Sequence, residues 1–551
     1  MKKISVKVTA AILAAAMAMT ACGGSGDSSA AAAGTTAAGT TTAGSGAESS
    51  GTTAAAVPDA AATYKDTLHI AVSQQAPSLD LHKNSSLVAR QIMDGTVWEK
   101  LVTQNGNAEA VPELCESYEV SEDATTITFY LRKGVKFHDG SEMTADDVAA
   151  SMNRWLDGFS SARSTVGEAQ FEKVDDYTVK IAADHPILLL PSMIAGAAQP
   201  ASITTAEACE KEDTNGFMTE YIGTGPYKFT EWVQDQYIRL DKFEDYVPYG
   251  TEGEAMDGWC GYKAAPTKTL IFDYVKEDAT REAGYESGQY DIIYNVPNDD
   301  IERMEALDNT AVTSLQAGTV AWVFNHKQGV AANQWFRQAV NTCFDYEEIL
   351  TAMYGEGGYD LGSCYMDAAQ GFWNTDAGSE NYNKHDPEAA KKILEDNGYN
   401  GETFTILCST LSHADYGAVA MEAQLEAIGI PVELTIVDWA TLTDYRKDPE
   451  KYDMYMTSFA QVPVPSLKLY FGPSYPGWSD DAALAEKFAA MNSAATMDEA
   501  RTAWEDLQAY SWEYLPLINA GHYIAHYVYR ADIEGLNEFS GLYFWNAGIK
   551  E

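Results

Sequence analysis

Basic residues are scarce in this chain: 36 Lys and Arg stand against 81 Asp and Glu, a formal charge of −45 at pH 7. Such a surface repels nucleic acid and anionic lipid, which excludes polyanion binding as its main work. The phosphate-cradling pattern G-x-x-x-x-G-K-[ST] is absent, so any nucleotide-driven step belongs to a partner. Neither H-E-x-x-H nor G-x-S-x-G occurs, which removes two common hydrolase signatures. The seven cysteines (Cys22, Cys115, Cys209, Cys260, Cys343, Cys364 and Cys408) include no C-x-x-C pair. Their spacing points to no metal or redox centre; the six beside Cys22 are enough for bridges in an exported protein, with scattered buried thiols the expected state. His522 and His526 lie four apart, but the surrounding GHYIAHYVY is rich in strand formers. On a strand the two would sit about 13 Å apart, too far for one metal. Paired acids such as Asp146-Asp147, Asp175-Asp176 and Asp299-Asp300 read as capping or surface residues. No catalytic residue, metal or cofactor is expected.

The N-terminus carries Lys2, Lys3 and Lys7, then an apolar run over 8–19, then Met19-Thr20-Ala21-Cys22. The run is too short to span a bilayer and reads as the core of a secretory leader over 1–21. A cysteine at the cleavage point resembles a lipobox, which implies a lipidated Cys22. Residues 22–65 then form a Gly/Ser/Thr/Ala-rich tether, too poor in apolar surface to order itself. The expected location is extracytoplasmic, at the outer face of the cell membrane, or the periplasmic side in a Gram-negative cell. What remains, on the order of 490 residues, exceeds a single core and predicts at least two lobes.

The most informative stretch is residues 127–155. Ile127, Phe129 and Leu131 alternate with polar neighbours, which predicts a strand with one buried face. A turn follows at His138-Asp139-Gly140. Thr144 and Asp147 are spaced to cap a helix whose apolar stripe is Val148, Met152 and Trp155. Phe129, Leu131, Arg132, Gly134, Val135, Phe137, His138, Asp139, Gly140, Thr144, Ala145, Asp147, Val148 and Ser151 match the pattern TFxLRxGVxFHDG…TAxDVxxS. This resembles the signature of the large extracytoplasmic solute-binding proteins of ABC importers, the peptide, nickel and opine family (family 5, cluster C).

The resemblance continues along the chain. The strand 68–72 runs into Ser73-Gln74-Gln75-Ala76-Pro77-Ser78-Leu79-Asp80, where family members place a ligand-facing loop, and a helix is expected over 87–101. Gly223-Thr224-Gly225-Pro226-Tyr227 is a second hallmark. Phe324-Asn325 with 335–340 and Asp345 is a third, and Asp386-Pro387 opening a helix stopped at Gly398 is a fourth. A strand over 404–407, a helix over 419–428 and a strand over 431–437 predict a right-handed βαβ unit and a parallel sheet. Asp438-Trp439 and Tyr452-Asp453 match second-lobe landmarks.

The resemblance implies an α/β, two-lobed periplasmic-binding-protein-like fold of type II with an accessory subdomain. Lobe I is expected over 66–107, 219–320 and 511–551, the accessory subdomain over 108–218, and lobe II over 321–510. It implies a monomeric receptor that closes on a small solute, peptide by family default, and serves an ABC permease with separate ATPase subunits. Ligand-binding candidates by position are Gln74, Gln75, Ala76, Trp322, Asn325, Trp439, Phe459, Gln461 and Trp478. One departure stands out. Peptide binders of the family carry an aspartate a few residues beyond the Tyr-Asp strand to pair with the α-ammonium, and residues 457–466 contain no carboxylate. A buried ammonium without its counter-charge costs several kcal/mol. Opines and oligosaccharides therefore stand beside peptides as solutes. The rivals from other classes are an extracellular hydrolase on a similar scaffold and a chemosensory or chaperone-like accessory.

Overall fold

The computed structural model of the protein describes residues 58–59, 62–368 and 370–551. The leader, the lipid site at Cys22 and nearly all of the tether lie outside the described residues. The tether does not extend to residue 65. Tyr64 is buried and pairs with Lys550, and Lys65 reaches Asp291 at 2.7 Å. Burial of the aromatic ring docks the chain before the first strand begins.

An eleven-stranded mixed sheet runs through both lobes, its short eleventh strand, Tyr359–Asp360, pairing with Leu517–Arg530. One half, lobe I, holds Ile292–Tyr294, Thr67–Val72, Thr269–Tyr274, Tyr237–Lys242 and Tyr227–Val233 in that spatial order. The other half, lobe II, holds Met454–Ala460, Phe404–Ser409 and Val432–Val437. Two long antiparallel strands, Thr310–Phe324 and Leu517–Arg530, join them and belong to both. Their register shifts between Gln316 and Gly318 and again between Val320 and Ala321. Such bulges bend and twist a ladder, so the sheet turns at the point where one lobe hands over to the other. Gly318 is required there, because a Cβ would stand 2.2 Å from the Phe459 carbonyl oxygen.

The expected crossover is present. Phe404–Ser409 and Val432–Val437 pair in parallel across the helix Ala414–Ala427. The helix expected over 87–101 is shorter, Leu87–Met93. Gly95 takes a left-handed φ of 72° and packs its bare Cα face on Trp545, which stops the helix at Asp94. No helix among the described residues is long and apolar enough to cross a membrane.

The signature segment builds a satellite of its own. Thr126–Leu131 belongs to a four-stranded antiparallel sheet, and the helix Ala145–Gly158 covers it. The Thr144 N–H donates to Asp147 Oδ2 at 3.0 Å, and Val148, Met152 and Trp155 are fully buried. His138 links two hallmarks. Its Nδ1 accepts from the Gly223 N–H at 3.2 Å while Nε2 faces the Gly225 carbonyl at 3.0 Å. Arg154 on the helix forks onto buried Asp80 at 2.9 and 2.7 Å, fixing the loop after the first strand. The six described cysteines are unbridged. Burial pushes the Cys115, Cys260 and Cys408 thiols up to about 12, and such thiols are inert.

Candidate functional site

A cleft lies between the lobes, partly open to solvent, with an enclosed space of about 40 Å³ as the lobes stand. Leu315, Gln316 and Ala317 of the first hinge strand line it at the bulge, and Tyr527 of the second hinge strand joins them. Lobe I adds Leu87, Arg90 and Gln91 from one helix, Trp259, and Ser540, Gly541 and Tyr543 from the C-terminal segment. Lobe II adds Gln370 and the run Ala460, Gln461, Val462 and Pro463 that leaves the strand Met454–Ala460.

Among the described residues, Arg90 is the one ionised side chain on this wall. Only 6% of it is exposed, and its guanidinium donates to the carbonyls of Ser85 at 3.1 Å and Ala197 at 2.9 Å. It forms no ion pair among the described residues, since Asp94, four residues on, is held by Lys100 at 2.9 Å. Burial pushes the guanidinium down from its ordinary value, and the Tyr543, Tyr523 and Tyr527 phenols and Asp94 offset that only in part. A buried guanidinium with spare donors and no counter-ion is suited to a ligand carboxylate.

Beside Arg90 stands an aromatic wall. Trp259 meets Tyr543 and Phe539 edge to face, each at 5.5 Å, and donates its indole N–H to the Phe539 carbonyl at 3.0 Å. The Lys100 ammonium lies 4.8 Å over the Trp259 ring. Lys263 ties Glu99 at 3.1 Å and Glu113 at 2.8 Å, all three buried, so the charges behind the wall are paired within the protein.

Two of the contacts between the lobes lie beside this cleft. Gln461 donates to the Gln316 carbonyl at 2.8 Å and accepts from the Ser540 hydroxyl at 2.5 Å, spanning lobe II, hinge and lobe I. Gly196 packs so closely on Pro463 that a Cβ would stand 2.3 Å from the proline ring.

The expected residues fall in different places. Gln461 lines the cavity. Phe459 packs one layer behind it, against Tyr470 at 5.0 Å and Tyr475 at 5.7 Å. Trp322 is core, edge-on to Phe344 and Tyr346. Asn325 is buried with its amide donating to the Pro449 and Tyr452 carbonyls, which anchors the far end of the hinge strand. Trp478 stacks on Tyr452 under the Lys327 ammonium, and Trp439 is 40% exposed at the outer edge of lobe II. Gln74, Gln75 and Ala76 line a separate, smaller pocket with Trp232 and Tyr274. Sequence reasoning missed Arg90, Trp259, Gln370, Tyr527 and Tyr543. Arg90 alone had a visible signal, a cation inside the apolar helix LVARQIM.

Residues 109–478 match the family described as bacterial extracellular solute-binding proteins, family 5. The chain belongs to that family. It is a solute-binding component of the ABC-importer type and not an enzyme. A probable peptide ABC transporter periplasmic-binding protein of Sinorhizobium fredii is 26% identical over 475 residues, covering 82% of this chain and 87% of that protein. The oligopeptide-binding protein AppA of Bacillus subtilis is 28% identical over 386 residues, 64% of each chain. The solved structure of AgaA from A. tumefaciens R10 with agropinic acid superposes with a TM-score of 0.72 at 24% identity, covering 88% of this chain and 99% of that one. AppA with a nonapeptide gives 0.71 at 20% identity, covering 89% and 100%. These structural likenesses establish the two-lobed α/β fold.

Proposed function

We propose that this family 5 protein is a lipid-anchored receptor that closes on a small carboxylate-bearing solute and delivers it unchanged to an ABC permease. In this reading residues 66–107, 219–320 and 511–551 form lobe I, 108–218 its accessory subdomain and 321–510 lobe II. Cys22 carries the anchor, and the acidic body works as a monomer. The observation that carries the proposal is Arg90, a buried cation on the cavity wall without a protein counter-charge. A solute carboxylate supplies that charge, Trp259 and Tyr543 cover its apolar part, and Gln461 responds to it from lobe II. Contacts available only in the closed state shift an open–closed equilibrium.

Peptide is the family's default solute, and relatives are named for peptides and oligopeptides. No Asp or Glu among the described residues lines the cavity, however, so an α-ammonium would find no partner in that lining. That favours N-blocked peptides, opines whose nitrogen is closed into a lactam, or acidic sugar derivatives, which present a carboxylate without a free ammonium. Calorimetry with a panel of peptides, opines and sugar acids tests the proposal, with scattering to follow compaction. Arg90→Gln should weaken every acid by about tenfold to a hundredfold, the worth of a hydrogen bond to a charged group. Mass spectrometry should return the solute intact. Tightest binding by an uncharged solute, unaffected by Arg90→Gln, would overturn the reading.

A further inference from the structure

Behind the lobe II wall lies a polar cluster of which only Gln370 reaches the cavity. Lys468, Asp367, Gln370, Tyr470, Thr319 and His522 are each at least nine-tenths buried. Thr319 and His522 are register partners on the two hinge strands, and Phe459, the other neighbour of Thr319, packs on Tyr470. His522 Nδ1 lies 3.0 Å from Asp367 Oδ1. Lys468 and Asp367 feel each other's charge but are not within hydrogen-bond or ion-pair distance. Lys468 Nζ, Asp367 Oδ2, Gln370 Oε1, Tyr470 OH and Thr319 Oγ1 all lack a hydrogen-bond partner among the described residues. A fully buried ammonium with three unused donors is costly, and so is each unmatched acceptor. Five such atoms gathered in one place are rare in a folded protein.

The cluster is one turn of chain from the cavity. The Gln370 N–H donates to the Asp367 carbonyl at 2.9 Å, and Gln370 itself lines the cavity. We infer that Lys468, Asp367 and Gln370 form a second solute subsite, which takes a neutral group able both to accept and to donate a hydrogen bond, such as a hydroxyl or an amide. The ammonium and the carboxylate offset each other's charge, so an ion placed between them would bury a net charge. A hydroxyl or amide satisfies both: its oxygen accepts from Lys468 and its O–H or N–H donates to Asp367 Oδ2.

This inference rests on the proposed function, with Arg90 holding the carboxylate end and the cluster reading the other end. The probes are gluconate, N-acetyl-glycylglycine and hexanoate, which share a carboxylate and differ in hydroxyl or amide groups. The wild-type protein should bind gluconate or N-acetyl-glycylglycine about tenfold to a hundredfold more tightly than hexanoate, as calorimetry reads it. Lys468→Met, and the charge-balanced pair Lys468→Met with Asp367→Asn, should abolish that preference and leave hexanoate affinity unchanged. A preference that survives both variants, or equal binding of all three acids, overturns the inference and means the cluster holds water only. Failure of every acid to bind, or indifference of all three to Arg90→Gln, overturns the Arg90 reading and this inference with it. The paired variant guards against misfolding of the single one, and a melting curve with an unchanged cooperative transition confirms its fold.

Discussion

Gly196 gives the most direct test of lobe closure. Its backbone, φ −72° and ψ 157°, is one that any L-residue adopts, so an added methyl acts only through what it touches. That neighbour is Pro463, with ring atoms 2.3, 2.8 and 3.1 Å from the built Cβ, where ordinary contact begins at 3.4 Å. A flip of the proline pucker moves Cγ but leaves Cδ and Cβ too close, so relief requires the 461–464 run to shift or the lobes to part. Overpacking of this kind costs about 1–3 kcal/mol. If the lobes part, the closed population falls about 5- to 150-fold, and the apparent affinity falls with it. Gly196→Ala should therefore weaken the tightest-binding acid of the panel within that range, and Gly196→Val should weaken it further. Scattering should show less compaction on adding solute. Gly472→Ala serves as control, since the nearest atom to its Cβ is 4.0 Å away. Unchanged affinity in both Gly196 variants would refute the claim that this contact limits closure.

Acid should destabilise the protein through three buried histidines. Burial holds His82 and His138 down to about 4 and His326 down to about 3, so the unfolded chain binds more protons than the folded one below the ordinary histidine value. Stability is fully present above pH ~6.5 and falls as pH drops toward about 4, by at most about 4 kcal/mol per pH unit for three protons. Melting temperatures measured from pH 7 to 4 check this, and a flat profile contradicts it. Thr144→Ala removes one half of the cap on the helix Ala145–Gly158 and should cost about 1 kcal/mol, read as a lower urea midpoint with unaltered solute affinity. Arg90→Lys keeps the charge but not the fork, and calorimetry should show an affinity between wild type and Arg90→Gln.

Residues close in sequence told their own story. The alternation Ile127, Phe129, Leu131, the Thr144–Asp147 cap and the stripe Val148, Met152, Trp155 appear in the structure because each depends on backbone hydrogen bonds and side-chain spacing within one or two turns. The hallmark motifs likewise marked their own local turns. That His138 binds the second hallmark, or that Arg154 holds Asp80, needed segments 74 or more residues apart to meet.

The site is different in kind. Tryptophans at 322, 439 and 478 offered equally plausible walls in sequence, and the structure puts one in the core, one at an outer edge and one on Tyr452. Trp259 reached the cavity because Lys100 and the C-terminal segment hold it there. The sequence by itself determined the elements, their caps and the family, all functions of short-range pattern. Only the tertiary structure decided that Arg90 would be buried without an acid while Asp94 took Lys100, because the charge balance of a buried group is set by which distant residues close around it.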